Sequence, residues 1–140
     1  MYEIAKWEQT LENEFWIEGF YEWQKTPRGK TPHYIHMRDG SPMPLAGIWE
    51  RWRSPSGEEL ESCAILTTAA NSVISPVHDR MPVILCTADL PAWLDHSSTL
   101  ETLQPLLTPL FSDGIVTSTV STLVNNPAYD QPECLKRAEL

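Results

Sequence analysis

Over residues 15–24 the polar side chains Glu18, Glu22 and Gln24 recur at even-numbered spacings among large aromatics. Phe15, Ile17, Gly19, Tyr21 and Trp23 fall on one side, and Glu18, Phe20, Glu22 and Gln24 on the other. That two-residue period is the signature of a β-strand. Residues 26–30, with Pro27 and Gly29, form a turn, and residues 32–37 return as a second strand. Asp39-Gly40 followed by Ser-Pro-Met-Pro turns the chain again, residues 45–52 make a third strand, residues 54–57 turn, and residues 60–69 make a fourth. Strands at such short, regular spacing predict an antiparallel meander that curls into a barrel-like sheet.

The second half of the chain changes character. Residues 71–77 have room for one or two helical turns, and residues 81–86 read as a buried apolar strand. Residues 88–94 predict a short helix. Ser98 and Glu101 fit a capping box, and Leu100, Leu103, Leu107 and Leu110 give the next segment a helical stripe, which Pro105 kinks or ends. Residues 115–120 form a last strand, and Asn125-Asn126-Pro127 opens an irregular tail. Residues 2–14, apolar at first and then acidic, predict a short helix or an irregular lead-in. The fold class is α+β: one domain over residues 1–140, an antiparallel, barrel-like sheet with a few short flanking helices.

Composition narrows the picture. The 140 residues, 41% apolar and 21% charged, suffice for one domain with a real core, and twelve prolines disfavour long helices. No apolar run approaches the roughly 20 residues that span a bilayer, and the start of the chain lacks the layout of a signal peptide, so a cytoplasmic protein with no membrane partner is expected. Cys63, Cys86 and Cys134 are odd in number and widely spaced. A disulfide framework or a zinc site is not expected, nor is any cofactor. The net charge of −9 is uneven: residues 1–22 carry −5, residues 23–80 carry +1 and residues 81–140 carry −5. Strong non-specific binding to duplex DNA is thereby disfavoured, while the relatively basic middle retains the means to track a few phosphates.

Glu22 is the first residue to question, because a carboxylate among large aromatics is expensive to desolvate unless it is paired or used. It fits a general acid/base, or a strand carboxylate paired across the sheet with a base such as Arg51. His78, beside Asp79, is either a working imidazole or a satisfied structural group. Trp23, Trp49 and Trp52 offer faces for stacking on unpaired bases or for core packing, with Trp49 the best candidate for the core. Trp23 lies beside Glu22 and near Lys25, Arg28 and Lys30. Arg80 is a phosphate contact or a partner for Asp79.

Gly19-Phe20-Tyr21-Glu22-Trp23, then residues 46–50 (AGIWE), 65–71 (ILTTAAN) and 78–85 (HDRMPVIL), resemble the SOS response-associated peptidase (SRAP) family in order and spacing, and Val124-Asn125-Asn126-Pro127 with Pro132-Glu133-Cys134 resemble its usual ending. The resemblance covers about residues 15–135. It implies recognition of abasic sites in single-stranded DNA within the DNA damage (SOS) response, and a stable thiazolidine crosslink to the ring-opened sugar. In that chemistry an N-terminal cysteine supplies an α-amine, which forms an imine with the aldehyde, and a thiol, which closes the ring. It also implies an autopeptidase activity that exposes the cysteine. Carried over by motif, Glu22 and His78 assist the proton transfers, Trp23 stacks near the lesion and Arg80 contacts the DNA backbone.

The sequence also departs from the family pattern. Eighteen residues precede the GFYEW block, Tyr2 stands where the cysteine belongs, and an Asn-Ala-Arg-type block is missing. The expectation is an N-terminally truncated member with residual single-stranded DNA binding. The alternatives are a module that keeps partial chemistry at abasic sites through Glu22 and His78, and a non-functional or split-gene remnant that needs a separately encoded N-terminal half.

Overall fold

The computed structural model describes residues 3–4, 16–110 and 112–138. Of the expected lead-in over residues 2–14 only Glu3–Ile4 is described, as a strand, and Phe15 lies outside the described residues. In chain order the strands are β1 (Glu3–Ile4), β2 (Trp16–Ile17), β3 (Gly19–Thr26), β4 (Gly29–Met37), β5 (Met43–Pro44), β6 (Gly47–Arg53), β7 (Glu59–Ile65), β8 (Thr67–Ala69) and β9 (Arg80–Pro82). Helices α1 (Leu90–Leu94) and α2 (Leu100–Leu103) follow, then β10 (Ile115–Thr119). All strand pairs are antiparallel. The α+β, antiparallel class therefore holds. The strands make open sheets rather than one closed wall: β10-β4-β3, β1-β6-β7, β2-β5 and β8-β9.

Three strands expected as continuous are broken, each because its two halves join different sheets. The strand over residues 15–24 parts at Glu18: Trp16 and Ile17 pair with Pro44 and Met43, whereas Gly19 onward pairs with β4. Residues 45–52 divide into a Leu45–Ile84 bridge and β6. Residues 60–69 part at Leu66, whose N–H donates to the Ala46 carbonyl while its carbonyl accepts from Val83 N–H, both at 2.9 Å. The chain thus crosses from the partner of β6 to the partner of β9.

The buried strand expected over residues 81–86 is strand only to Pro82, bridges Leu45 at Ile84 and reaches the exposed Cys86, and its apolar residues divide the interior. Met81 and Ile84 join Ile35, Met43, Leu45, Ile74 and Ile115 in one cluster, whereas Val83 and Leu85 join Ala46, Trp93 and Leu103 in another. A run that is apolar throughout serves both sides at once.

Local chemistry explains the short helices. Helix α2 is capped by Thr99, whose Oγ1 accepts from Thr102 N–H at 3.3 Å. Ser98, the cap expected from the sequence, instead donates its hydroxyl to the Ala92 carbonyl at 2.7 Å. Pro105 ends the α-helix as expected, and a 3-10 turn (Gln104–Leu106) follows. The leucine stripe is only partly a core face, because Leu103 is buried while Leu100 is exposed. Among the described residues no helix is long and apolar enough to cross a membrane.

Candidate functional site

The hairpin β3–β4 carries the site. Facing residues in its register are Phe20 with Ile35, Tyr21 with Tyr34, Glu22 with His33, Trp23 with Pro32, and Lys25 with Lys30. Paired residues share a side of an antiparallel ladder. Phe20, Glu22, His33 and Ile35 thus lie on one face, and Tyr21, Trp23, Lys25, Lys30 and Tyr34 on the other. Ile35 is fully buried in the core, with Phe20 packed against that cluster. Glu22 is consequently at the rim of the core-facing side, half-buried.

The segment over residues 71–78 lies on that same side. Gln24, two residues along the strand from Glu22, donates its amide Nε2 to the Pro76 carbonyl at 2.9 Å. Pro76 is in turn two residues before His78. The segment makes two single α-turns, Ser75 N–H to Asn71 O at 2.9 Å and His78 N–H to Ile74 O at 3.0 Å. Asn71 organises its start: Oδ1 accepts from Val73 N–H and Ile74 N–H at 3.1 and 3.0 Å, and Nδ2 donates to Leu110 O at 3.1 Å. Ile74 is fully buried. These bonds fix the turn that presents His78.

His78 Nδ1 lies 3.1 Å from Arg80 N and 3.2 Å from Asp79 Oδ1. In the neutral ring with its hydrogen on Nε2, Nδ1 accepts the Arg80 N–H; in the protonated ring Nδ1–H faces the Asp79 carboxylate. Among the described residues Nε2 has no hydrogen-bond partner, and 40% of the side chain is exposed. Glu22 Oε1 accepts the N–H of Trp23 at 3.0 Å. Arg51, the cross-strand base expected from the sequence as the alternative partner for Glu22, is instead bound to Glu61 across the β6–β7 hairpin.

Trp23 lies away from Glu22 and His78, whereas Arg80 follows His78 closely in the chain and turns its guanidinium to Thr67. Trp23 points to the opposite face of β3, where its indole Nε1–H donates to Asn125 Oδ1 at 2.7 Å and its ring lies 6.5 Å from Tyr21. Tyr21, Tyr34 and His36 continue a line of ring contacts at 5.4 and 5.2 Å. The turns Thr122–Asn125 and Pro132–Leu135 flank this face. Burial and the neighbouring Cys134 push the Tyr21 hydroxyl pKa up. Lys25, Arg28 and Lys30 project beyond Trp23, exposed and without an ion pair among the described residues. Arg80 does not pair with Asp79. One terminal nitrogen donates to the Thr67 carbonyl at 2.8 Å and to Thr67 Oγ1 at 2.5 Å, and the side chain is exposed.

Gln24, Thr67, Asn71 and Asn125 were not singled out by chemistry in the sequence. Thr67, Asn71 and Asn125 sit in the ordered blocks, and that membership was the available signal. Trp49 is half-buried, with its indole N–H unpartnered among the described residues and the Arg51 guanidinium 5.9 Å from its ring centre. Trp52 is exposed. Among the described residues no group of three or more His, Cys, Asp or Glu is placed to hold a metal ion.

His33, opposite Glu22, makes one long contact, Nδ1 to Thr117 Oγ1 at 3.4 Å, and its Nε2 is buried without a partner among the described residues. Burial pushes its pKa below the ordinary value of about 6.5. The neutral ring is therefore the folded form, and protons bind the unfolded chain more readily. Stability is expected to be level above about pH 6.5 and to fall as pH drops through the lowered value. Thermal unfolding at pH 7.5 and 5.0 checks this. His33→Gln should narrow the gap between the two transitions, and an unchanged gap would assign the acid sensitivity elsewhere.

Comparison with known proteins shows which proteins the chain resembles. A family model described as SOS response associated peptidase (SRAP) matches residues 9–127. "Abasic site processing protein YoqW" of Bacillus subtilis is 37% identical over 121 residues, covering 85% of this chain and 54% of that protein. "Abasic site processing protein HMCES" of Gallus gallus is 34% identical over 145 residues, covering 88% of this chain and 42% of that one. A crystal structure of a protein from Bacteroides thetaiotaomicron superposes with a TM-score of 0.79 at 29% identity, covering 87% of this chain and 54% of that chain. The chain spans about half the length of the curated relatives it matches.

Proposed function

The chain belongs to the SOS response-associated peptidase (SRAP) family, and from that membership we propose that it binds single-stranded DNA at abasic sites as a DNA-associated module of the damage response. The observation that carries the reading is the Gln24–Pro76 hydrogen bond, which sets the His78 turn on the Glu22 side of β3. On that side a carboxylate and an imidazole with a free Nε2 suit proton transfer at the aldehyde of a ring-opened sugar. On the other side Trp23, Lys25, Arg28 and Lys30 offer a stacking face with cations beyond it. Lys25 and Lys30 oppose each other in the ladder. Like charges so placed repel unless an anion lies between them, and a phosphate backbone supplies that anion. Arg80 adds a further cation beside His78.

The thiazolidine crosslink requires amine and thiol on one terminal residue. Cys63, Cys86 and Cys134 are internal and offer only a thiol. The function of this chain's own residues is accordingly non-covalent binding with proton transfer, rather than crosslinking through those cysteines.

The test is fluorescence anisotropy with a single-stranded oligonucleotide carrying one abasic site, titrated at several salt concentrations. Affinity should fall with salt by a slope of about −0.7 per phosphate neutralised. Trp23→Ala should remove about 1–3 kcal/mol, roughly 5- to 150-fold in Kd. Salt-independent binding that survives Trp23→Ala would refute the proposal.

A second reading is favoured by the exposure of every residue of β7. In it, the chain is one part of a two-part SRAP fold and acts together with a separately encoded polypeptide that carries the remainder.

A further inference from the structure

The outer end of the β6–β7 hairpin is a ribbon that the rest of the described chain does not cover. All seven residues of β7 are exposed, as are Arg51, Trp52 and Arg53 at the outer end of β6. Facing pairs along it are Ile48 with Ala64, Glu50 with Ser62, and Trp52 with Leu60 on one face, and Trp49 with Cys63, Arg51 with Glu61, and Arg53 with Glu59 on the other. Trp52 and Leu60, opposite one another, are 54% and 59% exposed, and Ile65 is 48% exposed. The turn at the tip is well made: Ser54 N–H donates to Glu58 O at 2.8 Å, Glu58 N–H to Ser54 Oγ at 3.0 Å, and Gly57 takes the left-handed φ of 90°. The ribbon is thus locally sound yet unsupported. A two-stranded hairpin with both faces in water is marginal by itself.

Its edges differ. β1 pairs with β6 at Glu3–Trp49 and Ile4–Ile48, so among the described residues β6 is the central strand and β7 the open edge of that sheet. An open edge beside exposed aromatic and aliphatic side chains is a template for an added strand.

We propose that the free edge of β7, with the Trp52–Leu60 face beside it, is the docking surface for the portion of the SRAP fold that lies beyond the region this chain shares with its relatives. This rests on the two-part reading above. The occupant is inferred from coverage. The superposition spans 87% of this chain but only 54% of the B. thetaiotaomicron chain, so nearly half of that chain lies outside the shared part. Where the shared part resembles this chain, the remainder has to pack on a surface that is bare here. The fitting segment is an extended strand with alternate apolar residues, which would meet Leu60 and Trp52 on one face. On its other face a basic residue would meet the carboxylate of Glu59.

The probe is the part of the B. subtilis relative YoqW that lies outside its alignment with this chain, expressed as a separate polypeptide. Light scattering after size exclusion gives stoichiometry, and amide hydrogen exchange locates the contact. The expected result is a one-to-one complex in which the β7 amides exchange at least about tenfold more slowly than in the chain alone. Leu60→Lys should weaken it about tenfold or more. Because Leu60 is exposed, that variant should keep the thermal transition of the free chain, and Ser62→Lys on the same face provides a second check. A complex that leaves β7 exchange unchanged and ignores both variants would overturn this docking surface while the two-part reading stands. No complex at all would overturn both, and self-association of the chain through β7 would replace the proposed occupant with a second copy.

Discussion

Gly19→Ala is expected to destabilise the protein by about 2–3 kcal/mol, the range of overpacking in a well-filled site. The position looks harmless, since glycine in a strand interior is ordinarily a weakness. Replacing it where the backbone allows usually adds about 0.4–1 kcal/mol by restricting the unfolded chain. Here the geometry reverses the sign. A Cβ at Gly19 would lie 2.5 Å from Tyr34 Cζ and Oη and 2.6 Å from the Ile35 carbonyl oxygen. The Tyr34 ring cannot swing away freely, because it stacks on His36 and contacts Tyr21. The Ile35 carbonyl belongs to β4, the central strand of its sheet. The first residue of the GFYEW block is therefore glycine because a tyrosine ring from the next strand lies across its backbone. Chemical denaturation of wild type and Gly19→Ala checks this. A variant as stable as the wild type would mean that β3 can slip relative to β4 without loss. Since Glu22 and Trp23 ride on the same strand, the variant should also lose DNA affinity beyond what its unfolded fraction explains.

The hairpin that carries the site was legible in the sequence for two reasons that agreed. The two-residue period over residues 15–24 is that of a strand, and Pro27 and Gly29 mark the turn before residues 32–37 return. The observed β3–β4 pairing follows it, with Glu22 and Trp23 on opposite faces as the period requires. What remained hidden depends on contacts distant in sequence. Nothing local in residues 60–69 tells that Leu66 will give its N–H to Ala46 and end one strand, because an apolar run reads alike whichever sheet receives it. The Thr99 cap replaced Ser98 because the Ser98 hydroxyl was taken by Ala92. Glu22 and His78 were proposed from the order of the blocks, whereas the bonds that position them were hidden. Gln24 reaches Pro76 and Trp23 reaches Asn125, and these amides carry no pattern of their own. Arg51 was a plausible partner for Glu22 by charge alone. Its register opposite Glu61 decided otherwise.

Asn71→Ala is expected to be about as damaging, at roughly 2–3 kcal/mol, and for a different physical reason. The side chain does two separate jobs. Its Oδ1 accepts two backbone N–H groups, from Val73 and Ile74, at the start of the turn that leads to His78. Removing such a cap costs about 1 kcal/mol. Its Nδ2 donates to the Leu110 carbonyl, tying that turn to the segment before β10. A half-buried carbonyl left without its donor adds a penalty of about 1–3 kcal/mol. Asn71→Asp separates the two contributions. It keeps an acceptor for the Val73 and Ile74 N–H groups but sets a carboxylate oxygen against the Leu110 carbonyl, so it should recover at most the capping share. Equal stability of the two variants would place the whole effect on the Leu110 contact. Below its unfolding transition, Asn71→Ala should still bind the abasic oligonucleotide through Trp23 and the basic hairpin, since those lie on the other face of β3. Any proton transfer that depends on His78 should fall with the turn that presents it. Loss of binding and of proton transfer in equal measure would mean that the two faces of β3 do not act separately.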